Sequence, residues 1–222
     1  MSSSNPKVIP GLSKGRLESL TDGIFGTVMT VLILSLSVPI IITSPSTSIA
    51  FENIQLLISL RSLLPDILSY VISFAILGAF WIRHHTMFYF VSRVDRLLLW
   101  INIIFLLTIG FIPFSTALIG RYPNLQLSLI VYGANLMATS ITSQGLWRYS
   151  VAKKLVIQDD VDEKIMGRIN ARMSAGPIAY LIGIIVSFSN PPLTLGIYIV
   201  TLLFFIFNSG STFRIWKRRV PN

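Results

Sequence analysis

The polar residues set inside apolar runs are where chemistry could sit in this chain. Asp22 heads a run in which Gly23 to Val38 carry no charge, with Arg16 just before it and Thr27 and Thr30 within it. The chain's two histidines, His84 and His85, lie in WIRHHTMF (Trp81–Phe88), and Asn102 lies near the start of the next run. An ionisable group at membrane depth is costly and normally has a partner. Two readings fit this set. One is a proton relay or pH sensor built on Asp22 and His84. The other, preferred here, is a hydrogen-bond lock between successive helices. A zinc site from Asp22, His84 and His85 lacks a third strong ligand, because adjacent histidines on a helix diverge by about 100°. No HExxH, GxSxG or P-loop motif is present. Without cysteines, disulfides and thiolate metal sites are excluded. No catalytic residue and no cofactor is assigned, and the chain does not read as an enzyme.

The elements that must position these residues are apolar. Of 222 residues 53% are hydrophobic and 12% charged, and mean hydropathy is +0.72, too little charge to cover a soluble surface. Six runs approach the roughly 20 residues a membrane span requires. They are Leu20–Ile42, Leu64–Trp81, Leu97–Leu118, Leu125–Trp147, Ser174–Phe188 and Leu193–Phe213. The alternation of a barrel strand is absent, so the fold class expected is an all-α membrane protein with six helices per subunit. Pro113 is expected to kink the third span, and small residues in YGANLMATSITSQG (Tyr132–Gly145) to pack helices closely in the fourth.

Net charge is +9. All of the 18 Lys and Arg residues except Arg61 and Arg121 fall on one side of the six spans. This positive-inside pattern puts both termini in the cytoplasm and explains the charge by topology and anionic lipid headgroups, not nucleic acid. Residues 1–15 read as a flexible N-terminus, 16–219 as one six-span unit and 220–222 as a tail. Glu52–Arg61 is expected along the outer interface. The acidic QDDVDEK (Gln158–Lys164) lacks the glycine and final glutamate of a calcium loop and reads as a solvated inside loop.

At 100° per residue, with Thr27 at zero, Leu34 falls near 340° and Leu20 and Val38 near 20°. Thr30 and Val31 flank them at about 300° and 40°. Asp22 falls near 220°, on another face. In one copy such threonines bond back to their own helix and pack. In several copies around an axis they become hydroxyl rings able to replace water around a cation, with Val and Leu rings able to dewet. Gly23 and Gly26 would let the helices approach closely near the inside end.

Taken in order, Arg16-Leu-Glu-Ser-Leu20-Thr21-Asp22, WIRHHTMF, RVDRLLLWINIIFLL (Arg93–Leu107) and IPFSTAL (Ile112–Leu118) resemble the prokaryotic form of the transmembrane-protein-175 family of potassium channels. Leu20 and Thr21 stand where the family motif has Phe and Ser. The resemblance implies a homotetramer in the bacterial inner membrane around four copies of the first span, selective for K⁺ without a TVGYG filter. It implies a network of Arg16, Thr21, Asp22, Trp81, His84 and Asn102, and a pore lined by Thr27, Thr30, Val31, Leu34 and Val38. The only metal implied is permeating K⁺. Relatives carry a bulky aliphatic residue where Thr27 stands, which moves the expected constriction to Val31 or Leu34. The competing readings are a proton-coupled transporter using Asp22 and His84, and a lipid-binding structural membrane protein.

Overall fold

Ser13 starts the first helix by accepting a hydrogen bond from the Arg16 amide at 3.3 Å. The computed structural model describes residues 13–41, 47–156 and 163–217, with side chains of 163–170, 172 and 208–217 left aside. The two tails, most of the Thr43–Ser48 loop and the acidic run at 158–162 lie outside the described residues.

The first helix, α1 (Lys14–Val31), tightens into a 3₁₀ turn over Leu32–Ser35 and then becomes extended. The expected helix to Ile42 is therefore too long. Pro39 disfavours helical geometry at the residue before it, Val38. Val38 leaves the helical register on which its place in the stripe was calculated. Leu34 does not, because a 3₁₀ turn brings residues three apart into line, here Val31 and Leu34.

Ser48 caps α2 (Ile49–Ser62), a helix with no buried residue. Its half-buried positions include Glu52, Gln55 and Ser59, while Phe51, Ile54, Leu57 and Ile58 point outward. Pro65 sits in the first turn of α3 (Leu64–Phe90), where its missing N–H costs nothing. Asp95 caps α4 (Arg96–Gly110), its Oδ1 accepting from the Leu98 amide at 2.7 Å. The chain then breaks at Phe111 and resumes as α5 (Ile112–Arg121). The kink expected at Pro113 is a one-residue interruption at Phe111, whose backbone stays right-handed, and Arg96–Arg121 remains one span.

A 27-residue helix, α6 (Gln126–Ala152), packs against α4, α5 and the following α7 (Glu163–Val186). The last helix, α8 (Pro191–Lys217), lies on α7 and α3. Tyr198 is fully buried in a notch floored by Gly133 and Gly183, where a Cβ would come within 2.0 and 2.4 Å of it.

Among the described residues, Lys14–Ser35, Leu64–Phe90 and Arg96–Arg121 are long and apolar enough to cross a membrane. Met173–Val186 and Pro191–Phe207 are shorter apolar helices. The length of α6 corresponds to about 40 Å, but its buried face holds Ser128, Asn135, Thr139, Ser140, Ser143 and Ser150. That polarity is turned into the protein.

Candidate pore helix and its anchoring network

Helix α1 has two contrasting faces. Leu17, Thr21, Phe25, Val28 and Leu32 recur at helical spacing and are buried where α1 meets α3 and α4. Phe25 packs beside Phe105, ring centroids 6.1 Å apart. On the other side Leu20, Thr27, Thr30, Val31 and Leu34 are all exposed, Leu34 by 75%. Gly23 and Gly26 share this open surface, with nothing within 4 Å of a Cβ built on either. Val38 is exposed too, on the extended segment.

The buried face carries a polar chain with a fixed direction. The Leu17 carbonyl only accepts, so Thr21 Oγ1 donates to it at 3.0 Å. Thr21 has one proton, so it accepts from Asn102 Nδ2 at 3.1 Å. Asn102 Oδ1 then faces His84 Nε2 at 2.9 Å, and that nitrogen must carry a proton to donate. All three side chains are at most 3% exposed. The His84 ring is stacked on Phe88 and Phe105, with centroids at 4.2 and 5.6 Å. A chain that ends on a backbone carbonyl has nowhere to deliver a proton. Its geometry is that of a lock joining α1, α4 and α3.

Asp22 stands apart from this chain. Its Oδ1 accepts from Trp81 Nε1 at 2.9 Å on the protomer surface. His84, His85 and Asn102, considered for it from sequence, are engaged elsewhere, His85 being stacked on Trp81 at 5.7 Å. The reason is helical: with Thr21 pointing into the bundle, Asp22 is turned about 100° away. Arg16 contributes its amide to the N-terminal cap, and its side chain is exposed. The proposed six-residue network is thus two groups in space, Thr21–Asn102–His84 inside and Asp22–Trp81 outside. Among the described residues no cluster of three His, Asp or Glu side chains could hold a metal.

Sequence reasoning missed three features. The two phenylalanines enclosing His84 follow it and Asn102 at helical spacings, i+4 and i+3, a signal that was available. Thr116, Ser73 and Tyr132 form a second buried chain, each link 2.8 Å, joining α5, α3 and α6. Asn135 reaches from α6 into the α4–α5 interruption; with its amide oriented so that Nδ2 faces the Thr108 carbonyl, it donates there at 3.0 Å, and its Oδ1 accepts from the Ser115 hydroxyl at 3.0 Å and the Ile112 amide at 3.3 Å.

Fold and site together define an all-helical membrane protein whose first helix is locked on one face and open on the other. The family model described as endosomal/lysosomal potassium channel TMEM175 matches residues 16–113 of this chain, from the motif arginine to the helix interruption. A potassium channel of Chamaesiphon minutus is 29% identical, over 89% of this chain and 95% of that one. One from Streptomyces collinus is 28% identical, over 87% and 92%. The chicken endosomal/lysosomal proton channel TMEM175 is 32% identical over 50% of this chain, which spans 22% of that longer protein. The crystal structure of the Chamaesiphon minutus lysosomal potassium-selective channel TMEM175 homolog superposes with a TM-score of 0.75 at 29% identity, covering 88% of this chain and 97% of that one. The crystal structure of a single-residue variant of the potassium channel MtTMEM175, at 19% identity and a TM-score of 0.57, shares the fold and covers 96% of this chain and 100% of that one.

Proposed function

We propose that this chain is one subunit of a homotetrameric potassium channel, passing K⁺ passively through a pore lined by α1 of each copy. The family-model match over residues 16–113 and the similarity to potassium channels along most of the chain support the activity. The observation that carries the pore assignment is the division of α1, one face locked into the bundle and the other exposed along its whole length. An unpartnered stripe of hydroxyl and aliphatic residues beside two open glycines suits close packing of identical helices around an axis.

Thr30 is suited to a cation. Its hydroxyl proton is given to the Gly26 carbonyl at 2.7 Å, so the oxygen lone pairs face outward. Four such oxygens would replace water around K⁺, and Val31 and Leu34 would form the apolar constriction above them. The reading places six spans per subunit in the bacterial inner membrane, with both termini on the cytoplasmic side and membrane lipids as the surrounding partner.

Purified protein in liposomes, loaded with K⁺ and diluted into Na⁺ or K⁺, tests this. Electrogenic, K⁺-selective flux without a proton gradient is the expected result. Flux that requires a proton gradient would transfer the assignment to a coupled transporter, and absence of flux to a structural protein.

A further inference from the structure

Two turns far apart in sequence are stapled together at the end of the bundle that the charge pattern places inside. The Ser92 and Arg93 amides donate to the Leu155 carbonyl at 2.8 and 3.3 Å, and Ser92 Oγ donates to the same oxygen at 2.9 Å. Val91 and Val156 form an antiparallel bridge. Tyr149 Oη donates to Asp95 Oδ2 at 2.6 Å, a bond that, with partial burial, pushes the phenol up to about 12.

The staple gathers basic residues from both turns. Arg93 and Arg96 come from one, Arg148, Lys153 and Lys154 from the other, and all five are exposed. Among the described residues of the two turns the acid is Asp95, and it is committed to Tyr149 and to the Leu98 amide. Lys154 occupies a left-handed position, φ 54°, in the cap that ends α6. The Leu155 amide reaches back to Ser150 and the Lys154 amide to Val151, a closure that favours glycine. A lysine stands there instead.

One turn along α4 from Arg96, on the same face, is Trp100, 55% exposed, with Leu97 beside it at 52%. Cations at a span end with an exposed indole one turn deeper match a lipid, headgroup above and acyl chain below. A soluble phosphate would have no use for the apolar part. We propose that the stapled turns form a binding surface for an anionic phospholipid headgroup, with Trp100 against its acyl chain. The leaflet rests on the orientation given above; the surface does not depend on ion conduction.

The test uses the full chain in phosphatidylcholine vesicles with a minor fraction of brominated phosphatidylglycerol or brominated phosphatidylcholine. Trp100 is isolated from the chain's 4 tryptophans as the difference between the protein and Trp100→Phe. Its fluorescence should be quenched at least twofold more by the brominated anionic lipid. Arg93→Gln with Arg96→Gln should remove that preference. So, in part, should Lys154→Gly, which discards a charge while suiting the left-handed backbone and so leaves the fold intact. Equal quenching by both lipids overturns the proposal, as does a preference that survives all three substitutions. Equal quenching is also the outcome if the acidic run at 158–162 fills the surface instead. K⁺ flux read from the same vesicles separates the two assignments, since loss of flux with the lipid preference intact rejects only the channel.

Discussion

Asn102 Nδ2 donates to Thr21 Oγ1 across 3.1 Å, joining residues 81 positions apart inside the bundle. Because Thr21 is spent on the Leu17 carbonyl and Asn102 Oδ1 on His84, every atom in the chain has one role. Asn102→Leu should leave Thr21 and His84 each short of a partner. A buried unsatisfied group costs about 1–3 kcal/mol, whereas interhelical hydrogen bonds in membranes average nearer 0.6 kcal/mol because the alternatives also find partners. The expected outcome is a loss of about 1–2 kcal/mol, read as a lower temperature of dissociation on size-exclusion chromatography. Asn102→Asp should be worse, since a carboxylate cannot donate to Thr21. An Asp variant as stable as the parent would contradict the direction assigned to the chain.

Thr30→Ala should keep the fold, because the side chain is exposed in the subunit, and lose the oxygen offered to the ion. The reversal potential under K⁺/Na⁺ gradients should move toward zero. Thr30→Ser should retain most selectivity, since its hydroxyl can bond to Gly26 in the same way. Equal selectivity in Thr30→Ala and the parent would remove Thr30 from the pore.

Thr27→Ile adds apolar bulk on the exposed face of α1 and should lower single-channel conductance without altering expression. Leu34→Ala, 75% exposed on the same face, should do the opposite by widening the apolar constriction. An unchanged current in both variants would mean that this face of α1 looks at lipid.

The two faces of α1 were legible because one helix obeys one angle: Thr21 and Thr27 differ by six residues, about 120° around the helix, and so lie on different faces. Val38 was misplaced because the arithmetic ran on through Ser35, where the helix stops ahead of Pro39. The partner of Asp22 was misjudged for a similar reason. Depth along the membrane suggested the histidines, but rotation about α3 decides which side chain arrives, and there it is Trp81. Pro113 announced the break in the third span, yet nothing in sequence fixed which residue of α6 would fill it. That depends on the register of two helices, set by packing over their whole contact.

Gly133→Ala would drive a methyl to within 2.0 Å of Tyr198 Oη, whose hydroxyl bonds the Leu129 carbonyl at 3.0 Å. Overpacking of this kind costs about 1–3 kcal/mol. The combined Gly133→Ala, Tyr198→Leu variant, with the ring gone, should recover part of that loss. Thermal unfolding in detergent measures both, and an additive double variant would show that the notch is not built for Tyr198.

Asn135 carries the last prediction. In an uninterrupted helix the Ile112 amide would donate to the Thr108 carbonyl four residues back. At the α4–α5 break these two groups part, and the Asn135 amide bonds both, at 3.3 and 3.0 Å. A side chain has been inserted into one missing rung. Asn135→Leu strands a donor and an acceptor in a buried site and should cost about 1–3 kcal/mol for each group left without a partner. Asn135→Asp keeps an acceptor for Ile112 but sets a carboxylate against the Thr108 carbonyl. The effect should reach permeation as well, because α5 packs on the 3₁₀ turn that holds Leu34. Both variants should therefore lose stability and show altered conductance. A destabilised protein that conducts as the parent does would mean that the break serves the bundle alone and that α5 does not brace the pore helix.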